Sequence, residues 1–164
     1  EFSFSNGGNY NISMNTKNLT LKNEAAVIDF AENLMREILQ SKDALPCAIE
    51  LVGDGGAGKT TFTKGLARGL EITEEITSPT FTISKVYENS RGQKLVHYDF
   101  YRLENPGIMV EDLFENLQDP HTVTVIEWAD TVSEILPANH LRLEILINDD
   151  GSRTLNLTKN LTSE

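Results

Sequence analysis

Cys47-Ala-Ile-Glu-Leu-Val-Gly-Asp-Gly-Gly-Ala-Gly-Lys-Thr-Thr-Phe62 decides the fold. An apolar run reaching Val52 is broken by Gly53-Asp54-Gly55-Gly56-Ala57-Gly58-Lys59-Thr60, a full match to the pattern G-x-x-x-x-G-K-[ST]. Glycines let a backbone curl with its N–H groups turned inward, making a nest that an anion can occupy. A helix opening near Gly58 adds unpaired N–H groups and the positive end of its dipole. Lys59 brings a point charge to the β- and γ-phosphates, and the Thr60 hydroxyl suits Mg²⁺. Asp54, Gly55, Gly56, Ala57, Gly58, Lys59, Thr60 and Thr61 are therefore the expected nucleotide-binding residues. A strand before the motif and a helix-compatible Thr61–Leu70 after it separate this reading from a mere glycine-rich turn.

The 164 residues suit one domain, and a chain of that size needs no metal or disulfide to build a core. Cys47 is the only cysteine, which excludes an intrachain disulfide and suggests a reducing compartment, the cytoplasm. No apolar run approaches the ~20 residues of a membrane span. A formal net charge of −11 repels phosphate backbones, so stand-alone nucleic-acid binding is not expected. Docking on a protein partner remains open to such a surface. Glu1–Ser13 is polar and lacks a signal peptide's basic start and apolar middle. With Met14 a plausible start, residues 1–18 read as a disordered leader or a vector-derived extension. The domain then runs over 19–158, with a frayed tail at 159–164.

Asn23 is a suitable helix N-cap with Glu24 in the first turn. Val27, Phe30, Ala31, Leu34, Met35, Ile38 and Leu39 then recur at helical spacing. Cys47–Val52 is the strand entering the glycine-rich loop. After a loop at 76–82, a strand through Ile83, Val86 and Tyr87, a turn at Asn89-Ser90-Arg91-Gly92 and a strand at Lys94–Phe100 read as a hairpin. A short helix follows at Ile108–Leu117, with Val110, Leu113, Phe114 and Leu117 on one side. Thr122–Ile126 is a strand, Thr131–Leu136 a short helix, and His140–Ile147 pairs with Thr154–Thr158 across Asp149-Asp150-Gly151. The expected class is α/β: a single P-loop NTPase-like sheet, mixed through its antiparallel hairpins and flanked by helices.

A phosphoryl-transfer site of this type needs an acid at a strand end and a group that orients water. Two apolar strands end in an acid, at Asp99 and at Glu127. Ligands of open α/β sheets gather at the carboxyl ends of strands, which favours both over surface carboxylates. Thr80, held by Pro79, reads either as a turn residue or as a switch-like contact to phosphate or Mg²⁺. A GTPase would carry D-x-x-G, but Asp99-Phe-Tyr-Arg102 lacks the glycine, and Thr158-Lys-Asn-Leu161 lacks the aspartate of [NT]-K-x-D. A minimal ATPase remains.

Four segments carry a resemblance: Gly53–Thr61, Ser78-Pro-Thr-Phe-Thr82, His97-Tyr-Asp-Phe-Tyr-Arg-Leu103 and Ile126-Glu-Trp-Ala-Asp130. Together they resemble the TsaE (YjeE) family, bacterial ATPases of tRNA threonylcarbamoyladenosine biosynthesis, over about Leu19 to Thr158. The resemblance implies ATP and Mg²⁺ as cofactors, TsaD and TsaB as partners, and tRNA reached only through the complex. It also implies Lys59 and Thr60 on phosphate and Mg²⁺, Thr80 in a switch-like loop, Asp99 and Glu127 as essential acids, and Trp128 beside the nucleotide. We favour Glu127 at the metal and Asp99 at the water. Gly55 departs from the family's usual leucine, and Val110 stands where a glycine is expected. Arg102 is the one further cation within reach of the motifs, so weak hydrolysis by the chain alone, raised by its partners, is expected. The alternatives are a small-molecule P-loop kinase and an ATP-gated binding module whose hydrolysis is incidental.

Overall fold

The computed structural model describes residues 3–5, 9–11, 16–42, 44–79, 82–101, 103–107 and 109–159. In chain order the elements begin with β1 (Ser3–Ser5), β2 (Asn9–Asn11), β3 (Thr16–Leu21), α1 (Glu24–Ile38), β4 (Cys47–Val52) and α2 (Lys59–Gly69). They continue with β5 (Ser84–Glu88), β6 (Lys94–Asp99), α3 (Met109–Gln118) and β7 (Thr122–Glu127). A 3₁₀ helix (Ala129–Ile135), β8 (Leu141–Ile147) and β9 (Arg153–Lys159) complete the chain. β1 and β2 form a separate antiparallel pair; the other strands make one sheet in the order β3-β9-β8-β4-β7-β6-β5. Its centre, β8-β4-β7-β6, is parallel. β5 closes one edge and β9 with β3 the other, all antiparallel.

Alternation along the strands sorts the core into two layers. Ile49 and Leu51 of β4, Val123 and Val125 of β7, and Leu143 and Ile145 of β8 face α1 and α2. Ala48, Val96, Tyr98 and Ile126 face α3 and the 3₁₀ helix. Asn23 caps α1 by accepting from the Ala26 N–H at 3.0 Å, and the predicted apolar stripe is buried against α2 and the sheet. The two helices meet almost backbone to backbone. A Cβ at Gly65 would lie 2.4 Å from the Ile28 carbonyl oxygen, and one at Gly69 would lie 2.5 Å from the Met35 Cβ. This contact seats the N-terminus of α2 at the carboxyl end of β4. On the other face, the Tyr98 hydroxyl donates to Asp112 and accepts from Asn116 at 2.6 Å, tying α3 to β6.

Several expectations need revision. The boundary of the expected leader, 1–18, cuts through β3, which runs Thr16–Leu21 and pairs with β9 along its length. Its alternation of polar residues with Leu19 and Leu21 suits an edge strand with one face against the core. Lys159, expected in the tail, closes β9, and residues 160–164 lie outside the described residues. α2 starts at Lys59, two residues before the expected point, because the phosphate loop delivers the chain directly into helix. Phe114 is 54% exposed rather than part of the buried side of α3, which is carried by Leu113 and Leu117. Ile147, at the far end of β8, is likewise exposed. No helix among the described residues is long and apolar enough to cross a membrane.

Candidate functional site

The turn from β4 into α2 has the geometry that an anion requires. Gly58 precedes α2 at φ +109°, a conformation that side chains rarely adopt, and a Cβ at Gly53 would lie 2.7 Å from the Ile145 carbonyl oxygen. The first turn of α2 holds no acidic residue, so its N–H groups face the loop without internal competition. Lys59 is only 8% exposed, and its Nζ donates to the Gly53 carbonyl oxygen at 2.6 Å. The ammonium thus lies folded across the loop it would share with a phosphate.

Above this turn opens a cavity of about 570 Å³. Asp54, Gly55, Gly56, Gly58, Lys59, Thr60 and Thr61 line it, as the motif predicts. Ala57 does not: it is buried, with its N–H on the Asp54 carbonyl oxygen at 3.0 Å. Asp99, Glu127 and Trp128 reach the same cavity from the ends of β6 and β7. Thr80 and Arg102 lie outside the described residues, whereas Ser78, just before Thr80, lines the cavity.

Strand register brings the acids together. Asp99 is the pairing partner of Glu127, and Glu127 is also paired with Leu51, two residues before the glycine-rich loop. Both carboxylates are buried, Asp99 to 6% and Glu127 to 4% exposure. Asp99 Oδ1 accepts from the Tyr101 N–H at 2.9 Å. Glu127 Oε1 lies 3.0 Å from His97 Nε2, and its main-chain oxygen accepts from the Phe100 N–H at 3.1 Å. Buried carboxylates need such donors to offset the solvation they lose on burial.

Trp128 has φ +56°, an uncommon state for a bulky residue and one that stores strain. It turns the indole back over the loop: Lys59 Nζ sits 4.8 Å from the ring centroid, and the Tyr101 ring stacks obliquely at 4.8 Å. The result is a lysine with an aromatic lid, at the mouth of an oxygen-lined cavity. Tyr101 and Glu24, the first residue of α1, escaped the sequence reading; Glu24 reaches the cavity only because the α1–α2 contact brings it there.

The donor set fits Mg²⁺. Thr60, Asp99 and Glu127 offer hydroxyl and carboxylate oxygens within one cavity. Among the described residues no group of three or more His, Cys, Asp or Glu could hold a metal unaided. Mg²⁺ takes one or two carboxylates and completes its shell with substrate phosphates and water.

The family model described as "Threonylcarbamoyl adenosine biosynthesis protein TsaE" matches residues 21–155. The chain belongs to the TsaE family. Curated TsaE relatives carry the name "tRNA threonylcarbamoyladenosine biosynthesis protein TsaE". That of Bacillus subtilis is 43% identical over 111 residues, covering 67% of this chain and 68% of the relative. That of Haemophilus influenzae is 30% identical over 148 residues, covering 87% and 93%. The crystal structure of Bacillus subtilis YdiB superposes with a TM-score of 0.68 at 31% identity, over 89% of this chain and 86% of that one. The TsaE match spans both core layers apart from Leu19 and Leu157 at their margin, and every cavity-lining residue named above. The resemblance and the fold class expected from the sequence are both borne out.

Proposed function

We propose that this TsaE-family chain hydrolyses ATP as a component of the cytoplasmic machinery that makes threonylcarbamoyladenosine in tRNA, working with TsaD and TsaB. The observation that carries the reading is the pair Asp99–Glu127, held in register beside the cavity that the Lys59 loop lines. In this reading the β- and γ-phosphates enter the nest, and Lys59 exchanges the Gly53 carbonyl oxygen for phosphate oxygens. Thr60 and Glu127 would hold Mg²⁺, which supplies charge neutralisation across the β- and γ-phosphates. Asp99 orients a water whose oxygen attacks the γ-phosphorus as the bridging bond to ADP breaks, giving ADP and phosphate. Thr80 belongs to this proposal as the switch-like contact to the γ-phosphate or Mg²⁺. The acidic surface, net charge −11, supports contact with tRNA through partners rather than directly.

The experiment is reconstituted tRNA modification by this chain with TsaB and TsaD, supplied with ATP or a non-hydrolysable analogue. Repeated rounds with ATP and none with the analogue fit the reading. Equal modification with both would make the chain an ATP-gated docking module. Transfer of the γ-phosphate to a metabolite would make it a kinase.

A further inference from the structure

His97 stands out among the buried polar groups and has no part in the proposed ATP chemistry. It is fully buried in β6, two residues before Asp99 and on the same face of the sheet. Its pairing partner is Val125, two residues before Glu127. From there its Nε2 reaches Glu127 Oε1 at 3.0 Å, while its Nδ1 is buried with no hydrogen-bond partner among the described residues. A carboxylate oxygen only accepts, so Nε2 carries the hydrogen and donates. On the face of β6 that Leu95 also presents to the core, an aliphatic side chain would satisfy packing without leaving a nitrogen unpaired. The single bond to Glu127 is what the imidazole adds.

We infer that His97 is a positioning residue for Glu127: its Nε2–H fixes the carboxylate and occupies Oε1, which leaves the second oxygen to serve the nucleotide's metal or its waters. This rests on the proposed ATPase role of Glu127. A glutamate at the carboxyl end of β7 has three side-chain torsions to order. A donor fixed in the neighbouring strand orders them before the substrate arrives. The device parallels the outer-shell partners that orient metal-binding side chains elsewhere.

The test compares His97→Gln with His97→Asn in the full chain. The glutamine amide reaches about as far as Nε2, and the asparagine amide stops near Nδ1, so the two differ mainly in reach. Three readouts are needed: melting temperature, ATP turnover with TsaB and TsaD, and the Mg²⁺ dependence of ATP binding, followed by fluorescence of Trp128, the only tryptophan. His97→Asn should lose about 10- to 100-fold in turnover and bind ATP less tightly in Mg²⁺ but not in chelator. His97→Gln should stay within about threefold of the parent on both. Added to Glu127→Gln, His97→Asn should cost little more, because both act through one carboxylate.

Parent-like behaviour of His97→Asn overturns the inference. So does equal loss in both variants, whether or not melting falls, since His97 would then serve packing alone. Independent, multiplicative losses in the double variant overturn it too. A parent chain that neither binds nor hydrolyses ATP removes the ATPase reading itself, and His97's role with it.

Discussion

Asp99 and Glu127 face each other across β6 and β7 as register partners, at the carboxyl ends of two parallel strands and beside the loop that presents Lys59. Adjacent strands lie about 4.8 Å apart, so two acids so placed can serve one ion and one water without being bonded to each other. The division of labour proposed here gives separable outcomes. Glu127→Gln should retain ATP affinity within several-fold and lose at least about 100-fold in turnover, partly recovered at high Mg²⁺. Asp99→Asn should lose turnover with no recovery by Mg²⁺. Recovery by Mg²⁺ in Asp99→Asn alone would reverse the roles.

Lys59 is held by the Gly53 carbonyl oxygen and roofed by Trp128. Removing it takes away the lysine ammonium that the described residues bring to the nest. Lys59→Ala should weaken ATP binding about 100-fold or more, as loss of charge-assisted bonds to phosphate implies. Titration calorimetry in Mg²⁺ measures this directly. Affinity within twofold of the parent would contradict the phosphate site.

The sequence made the local parts of this site readable, because each is written in consecutive residues. The glycine-rich loop, the two strands ending in Asp99 and Glu127, and the hairpins β5–β6 and β8–β9 all follow from short-range spacing. What depends on register between distant segments was not readable. His97 and Glu127 are 30 residues apart, and only the β6–β7 alignment makes them partners. The same holds for Tyr101 against Trp128 and for Glu24 at the cavity. β3 was overlooked because Thr16-Lys-Asn-Leu-Thr-Leu21 offers only two apolar side chains, a weak signal before its pairing with β9 is known.

On the α3 face of the sheet, His140 Nδ1 donates to the Pro137 carbonyl oxygen at 2.7 Å and Nε2 faces Glu50 at 3.0 Å, with Arg142 also beside Glu50. Both nitrogens meet acceptors, which favours the imidazolium more than in a free histidine. The bond to Glu50 raises the His140 pKa above its ordinary 6.5, helped by Pro137 and opposed by burial and Arg142. The bond from His140 lowers Glu50 below its ordinary 4.5 against the cost of burial. For the histidine, the stabilisation is complete below pH 6.5 and fades as pH rises through the raised value. For the glutamate, it is present above pH 4.5 and fades as pH falls through the lowered value. The pair therefore contributes most between these limits. The melting-temperature gap between parent and His140→Gln should narrow from pH 6 to pH 9; a constant gap would argue against the pair.

Glycines here differ sharply in what they tolerate. A Cβ at Gly65 would press on the Ile28 carbonyl and on Ala31, whereas one at Gly55 would meet nothing within 4 Å. Gly65→Ala should destabilise by about 1–3 kcal/mol, the range for overpacking a tight contact. Gly55→Ala should be neutral or stabilise by up to about 1 kcal/mol, by restricting the unfolded chain. Urea denaturation of both variants checks the contrast.

As proposed, this TsaE-family chain is an ATPase completed by its partners. The chain brings Lys59 to the cavity, while its mouth is rimmed by the exposed aromatic rings of Tyr101 and Trp128. A cation supplied to the γ-phosphate in the transition state can add about 10³- to 10⁵-fold in rate. Steady-state ATP turnover should be measured for the chain alone and with TsaB and TsaD, at equal ATP and Mg²⁺. Slow hydrolysis alone, a rise of at least about tenfold with both partners, and loss of both rates in Glu127→Gln are expected. Fast hydrolysis by the isolated chain that the partners leave unchanged, or no hydrolysis under either condition, would contradict the proposal.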